Sequence, residues 1–83
     1  MTPEQAADLM GRAIRRIVPD ADLDGAGPDA DLRRTFELDS LDFLSLVEMI
    51  STDARVRIDE EDYPELATMT SSTEFLVRRT ATG

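Results

Sequence analysis

Apolar residues recur along this chain at three- and four-residue spacing, and that period predicts helices from one end to the other. Ala6, Leu9, Met10, Ala13, Ile14, Ile17 and Val18 trace one face of a first helix. Thr2 can cap it, Pro3 suits its first position, Gln5 completes a capping box, and Pro19 stops it. A second helix is expected from about Ser40 to Asp53. Its apolar residues, Phe43, Leu44, Leu46, Val47 and Ile50, spread too widely for a narrow stripe, so most of them belong in a core. A short turn of helix is expected over Asp59 to Tyr63, with Pro64 preventing a long continuation. The last helix is expected to begin near Thr70 or Ser71, where Ser71 and Glu74 make a second capping-box pattern ahead of Phe75, Leu76 and Val77.

Between the first two long helices, Asp20 to Thr35 is rich in Asp, Gly and Pro, with Leu23 and Leu32 as its strong apolar anchors. That composition reads as a long surface loop. Connections beyond about 12 to 15 residues in a compact domain tend to be functional or disordered. There is no internal repeat and no useful run of strand-like alternation. The expected architecture is all-α over residues 1–83: a four-helix bundle with a long loop between its first and second helices and a short third helix.

Charge narrows the function. Eighteen acids stand against nine arginines, giving a net charge of −9, which disfavours nucleic acid and anionic membranes and favours a basic partner. No apolar run approaches the roughly 18 residues of a membrane span, and no signal peptide is visible, so a cytoplasmic protein is expected. A chain of 83 residues buries only about 60 to 65% of its unfolded surface, too little to enclose a large internal active site. The chain holds no histidine, cysteine or lysine, the usual groups that activate a serine or bind a transition metal. That matters for Ser40, which sits in Glu37-Leu38-Asp39-Ser40-Leu41-Asp42 at the entrance to the second helix. Asp39 is a good N-cap, and Asp42 puts a second acid in the first turn, where the helix dipole favours negative charge. Ser40 is therefore a surface hydroxyl at a helix start. It is a poor catalytic nucleophile, and it remains either a modification acceptor or a plain helix-start residue.

The segment Asp29-Ala30-Asp31-Leu32, followed by Phe36-Glu37-Leu38-Asp39-Ser40-Leu41, resembles the approach to the Asp-Ser-Leu motif of the acyl carrier proteins. The resemblance runs from about Pro28 to Val77. Leu44, Val47 and Ile50 are similar to the family's buried face of helix II, Ile58-Asp59-Glu60-Glu61-Asp62 to its acidic short third helix, and Met69 to Val77 to its last helix. It implies that Ser40 receives 4'-phosphopantetheine from coenzyme A through a phosphopantetheinyl transferase. It further implies a non-enzymatic monomer whose cargo is handled by ligases, ketosynthases and acyltransferases of fatty-acid, polyketide or specialised-metabolite biosynthesis. Docking is implied for Asp39, Leu41, Asp42, Glu48, Glu60 and Glu61, within a stretch from Asp39 to Glu65 that holds nine acids against Arg55 and Arg57. An apolar interior lined by Phe43, Leu46, Val47, Ile58, Leu66, Met69 and Leu76 is a candidate shelter for an acyl chain or a plain core.

Three positions depart from the family's pattern: Glu37 where a glycine is usual, Ser45 where an acid is frequent, and Ala54 where a bulky aromatic often closes the core. They point away from a housekeeping fatty-acid carrier and towards a dedicated polyketide, lipid or specialised-metabolite system. Two other readings stand beside this one. Asp20-Ala21-Asp22-Leu23-Asp24-Gly25 with Asp31 at the twelfth position matches the charged skeleton of an EF-hand calcium loop, although Gly27 and Pro28 occupy its eighth and ninth positions and Asp31 replaces the closing Glu. A peptidyl carrier, or a helical interaction module with no prosthetic group, is the other alternative. Peptidyl carriers usually have a glycine-rich approach to the serine, where this chain has Leu38-Asp39.

Overall fold

The computed structural model describes residues 1–81. Among them the chain is all-helical, with α1 (Pro3–Ile17), α2 (Leu23–Ala26), α3 (Leu32–Thr35), α4 (Ser40–Ala54), a 3₁₀ helix (Glu60–Leu66) and α5 (Met69–Ala81). Helix α1 packs against both α4 and α5, and the 3₁₀ helix packs on α5. The Cα radius of gyration is 11.5 Å, close to the roughly 12 Å expected of a folded chain of this length.

Each long helix starts where its side chains can satisfy orphan backbone donors. At α1 the Gln5 amide N–H donates to Thr2 Oγ1 at 3.1 Å, and the Thr2 N–H donates back to Gln5 Oε1 at 2.9 Å. At α5 the expected Ser71–Glu74 pair is not the cap, because the helix begins earlier, at Met69. Thr68 and Ser71 form the reciprocal pair instead: Ser71 N–H reaches Thr68 Oγ1 at 3.0 Å, and Thr68 N–H reaches Ser71 Oγ at 3.2 Å. A serine at the third position has replaced the usual Glu or Gln. Pro64 also lies inside the 3₁₀ helix rather than beyond its end. The ring's fixed φ suits a tight helical turn, and the Pro64 carbonyl still accepts from Ala67 N–H at 3.4 Å.

The core is one cluster. Met10 and Ile14 of α1, Leu32 of α3, Leu46 and Ile50 of α4, Leu66 of the 3₁₀ helix, and Phe75 and Leu76 of α5 are all at or below 1% exposure. Burying each such side chain is worth about 1.5 to 3 kcal/mol. On α4 the inward stripe is Phe43, Leu46, Val47, Ile50 and Ala54, spaced three and four apart. Leu44, expected on that face, is 43% exposed. The i, i+3, i+4, i+7 geometry that turns Phe43 and Val47 inward rotates Leu44 out of the stripe, towards the side of α4 that faces the 3₁₀ helix.

The connection expected as a long surface loop contains the one-turn helices α2 and α3 and is pinned at several points. Leu32 N–H donates to the Ala67 carbonyl at 2.8 Å, and Thr70 N–H donates to the Pro28 carbonyl at 3.0 Å, tying it to the junction between the 3₁₀ helix and α5. Leu23 lies against α1 at Gly11, where an added Cβ would stand 2.9 Å from Leu23 Cδ1. The two expected anchors therefore both pack inward, Leu32 fully and Leu23 in part.

Candidate functional site

The chain approaches Ser40 through a left-handed turn. Helix α3 ends with Phe36 N–H donating to the Leu32 carbonyl at 3.0 Å, and Leu38 N–H reaches back to the Arg33 carbonyl at 2.8 Å. This six-to-one closure needs the intervening residue in the left-handed region, and Glu37 occupies it with φ 54°. The turn sends Leu38 into the core at 5% exposure and leaves Asp39 extended, at φ −79° and ψ −177°, ready to cap the next helix. Asp39 Oδ1 accepts from Asp42 N–H at 2.8 Å, and Asp42 Oδ2 accepts from Asp39 N–H at 3.4 Å. Both acids of the Asp-Ser-Leu-Asp run are thus turned onto the backbone.

Ser40 is the first residue of α4, exposed, and its hydroxyl makes no hydrogen bond among the described residues. The neighbouring carboxylates cap the helix rather than contact the serine, so nothing at hand withdraws its proton. Leu41, one residue on, is 75% exposed, an apolar side chain presented beside the hydroxyl. The arrangement offers an accessible oxygen and leaves its activation to another molecule.

Beside Ser40 lies a groove of about 390 Å³ between α4, the start of α3 and the 3₁₀ helix. Its walls are Asp31 and Arg33 on one side, Ser40, Phe43 and Leu44 on α4, and Tyr63, Pro64 and Ala67 opposite. The Phe43 and Tyr63 rings meet edge to face, their centroids 5.4 Å apart at 79°. The Arg33 guanidinium stands over the Phe43 ring, 5.1 Å from its centroid. A second groove, of about 380 Å³, continues along α4 past Leu44, Val47, Glu48, Ile58 and Tyr63. The outward turn of Leu44 is explained here, since it lines both.

Of the remaining acids expected at a docking surface, Glu48, Glu60 and Glu61 are exposed and make no ion pair among the described residues. Asp62, counted with that acidic stretch, behaves differently. It is 6% exposed, accepts from Arg79 Nη2 at 2.7 Å and from Asp59 N–H at 3.0 Å, and so joins the 3₁₀ helix to α5. Arg79 also donates to the Arg57 carbonyl at 3.1 Å. Asp59 pairs with Arg57 at 2.9 Å and Glu65 with Arg78 at 2.5 Å. Sequence reasoning treated these acids alike because it could not see which arginines the fold brings to them. Arg33 was missed as well, and its signal was only a cation in the run leading to the serine.

The acids that match an EF-hand skeleton do not converge. Asp22 caps α2 by accepting from Gly25 N–H at 3.0 Å, and Asp31 caps α3 by accepting from Arg34 N–H at 3.0 Å. Among the described residues no group of three or more acidic side chains is arranged to hold a metal ion. No helix among them is long and apolar enough to cross a membrane. Comparison with protein-family models, curated proteins and solved structures gave no match.

Proposed function

We propose that the protein is an acyl carrier, with Ser40 as the attachment point of a 4'-phosphopantetheine arm. The observation that carries this reading is the Ser40 hydroxyl: exposed at the first position of α4, free of internal hydrogen bonds among the described residues, and flanked by acids engaged as caps. A hydroxyl so placed suits attack on a bound donor under the control of a separate enzyme, and the chain has no histidine, cysteine or lysine to activate it alone. In the transfer Ser40 Oγ forms the new bond to phosphorus, the pyrophosphate bond of coenzyme A breaks with loss of adenosine 3',5'-bisphosphate, and the serine proton passes to the transferase. Once attached, the arm supplies a terminal thiol that carries acyl groups as thioesters. In this reading α1, α4, the 3₁₀ helix and α5 are the four helices of a carrier bundle, and α2 and α3 are turns within its long first connection. The protein itself performs no catalysis and works in the cytoplasm with a transferase and with acyl-loading and acyl-processing enzymes.

Tethering explains why a small, exposed site suffices. A flexible arm raises the local concentration of cargo at a docked enzyme, so a weak, brief interface is enough. Leu41 and the exposed acids Asp39, Glu48, Glu60 and Glu61, with half-buried Asp42, supply such an interface for a basic partner.

Incubation with coenzyme A and a broad-specificity phosphopantetheinyl transferase should add one phosphopantetheine, read by intact mass. Ser40→Ala should abolish the addition while leaving the helical circular dichroism unchanged. Label on another serine, or none with a transferase shown to be competent, rejects the carrier reading. Intact mass of the protein purified from its native host would then identify the acyl cargo directly.

A further inference from the structure

We infer that Arg33 is the counter-charge for the anionic phosphodiester end of a group attached at Ser40, a positioning role for a residue outside the Asp39-Ser40-Leu41 run. The inference rests on the carrier reading and deepens it. Its first support is charge: acids outnumber arginines two to one, yet no carboxylate lies within ion-pair distance of Arg33 among the described residues. Arg12, Arg16, Arg57, Arg78 and Arg79 have acidic partners, whereas Arg33, like Arg15, Arg34 and Arg55, has none among the described residues, and of these four it is Arg33 that lines the groove at Ser40. Even Asp31, in the same groove, is committed to the Arg34 amide as a helix cap.

The second support is place. Arg33 and Ser40 line one groove, and Arg33 is the basic residue in its wall. A phosphodiester on Ser40 is one bond from the serine oxygen, so covalency alone fixes its negative charge beside this groove. The start of α4 also offers positive potential at that point, but its first turn already carries the Asp39 and Asp42 carboxylates. Arg33 offsets a charge that this acidic corner otherwise repels.

The third support is pre-organisation. Arg33 lies on the short helix α3, whose cap and six-to-one closure fix its backbone, and its guanidinium stands over the Phe43 face. Phe43 is itself held by the Tyr63 ring. Stacking on an aromatic face leaves the edge of the guanidinium, with its fork of N–H donors, available for the paired oxygens of a phosphate. A lysine at this position keeps the charge and loses the fork and the stacking.

The test compares unmodified and modified protein by NMR. Intact mass first establishes one addition at Ser40; if wild type takes none, the carrier reading fails, and that failure is distinct from any NMR outcome. In the modified wild type the Arg33 Nε–Hε resonance should shift from its position in the unmodified protein, and the 31P line of the phosphodiester should be broader than in modified Arg33→Gln. Arg33→Lys should lie between the two, and raising salt should move the wild-type 31P line towards that of Arg33→Gln. Arg33 is exposed, so these variants keep the fold, and the wild-type Arg33 resonance gives an answer that needs no variant. An Arg33 resonance indifferent to modification, or 31P lines identical in wild type and Arg33→Gln, overturns the inference.

Discussion

Glu37 is the residue on which the presentation of Ser40 turns. Its left-handed conformation, φ 54°, closes α3, buries Leu38 and delivers Asp39 to the start of α4. A side chain with a Cβ pays roughly 1 to 2 kcal/mol for that conformation, which glycine adopts freely. The turn is kept and the strain accepted. Glu37→Gly should therefore raise stability by about 0.5 to 1 kcal/mol after the extra freedom of the unfolded chain is counted. In a domain of this size that is a rise of about 2 to 8 °C in Tm, measurable by thermal denaturation. A β-branched Glu37→Val should lower it. Equal melting of Glu37→Gly and wild type would show that the strain is no larger than the freedom glycine adds to the unfolded chain.

Among the elements, α4 separates what was legible in the sequence from what was not. Its start and its Asp39 cap follow from local chemistry alone and were readable because capping involves residues only three apart; the bond that Asp42 returns to the Asp39 N–H was not read, since the sequence placed that acid there for the helix dipole. Its facing was only partly readable. Six apolar residues from Phe43 to Ile50 over-fill a single stripe, and which of them turns outward depends on where the 3₁₀ helix lies. The expected face of Leu44, Val47 and Ile50 is right at two positions, and Leu44 instead lines the grooves beside Ser40. For the same reason the pair between buried Asp62 and exposed Arg79 was not legible: its partners are 17 residues apart, and no local pattern links them. The consequence can be measured. Leu46→Ala and Ile50→Ala, at fully buried sites, should each cost about 2 to 5 kcal/mol, a large part of the stability of so small a domain. Leu44→Ala should cost under about 1 kcal/mol, in keeping with its exposed position. Denaturant titration of the three variants checks the order; a Leu44 cost equal to that of Leu46 would mean that α4 is rotated from the orientation described.

At the scale of the whole molecule, nine arginines against eighteen acids leave a net charge of −9, and the fold does not spread it evenly. Asp53, Asp59, Asp62 and Glu65 are each within ion-pair distance of an arginine, whereas Glu48, Glu60 and Glu61 stay exposed and unpaired among the described residues. Asp42 belongs to both worlds, since it caps α4 and lies two residues from Ser40. On the proposed function its charge draws the basic surface of a transferase, an effect on encounter that is screened over about 10 Å at 0.1 M salt. As a cap alone, it would matter only to stability. Asp42→Lys separates the two: it should lower the rate of Ser40 modification and flatten its dependence on salt, while weakening the helix start by roughly 0.3 to 1 kcal/mol. Asp42→Asn, which keeps the shape and an acceptor for the Asp39 N–H, should lose less stability than Asp42→Lys and give an intermediate rate. Modification kinetics measured beside thermal melting decide it: a destabilised Asp42→Lys that is modified as fast as wild type, with the same response to salt, would leave Asp42 a helix cap and nothing more.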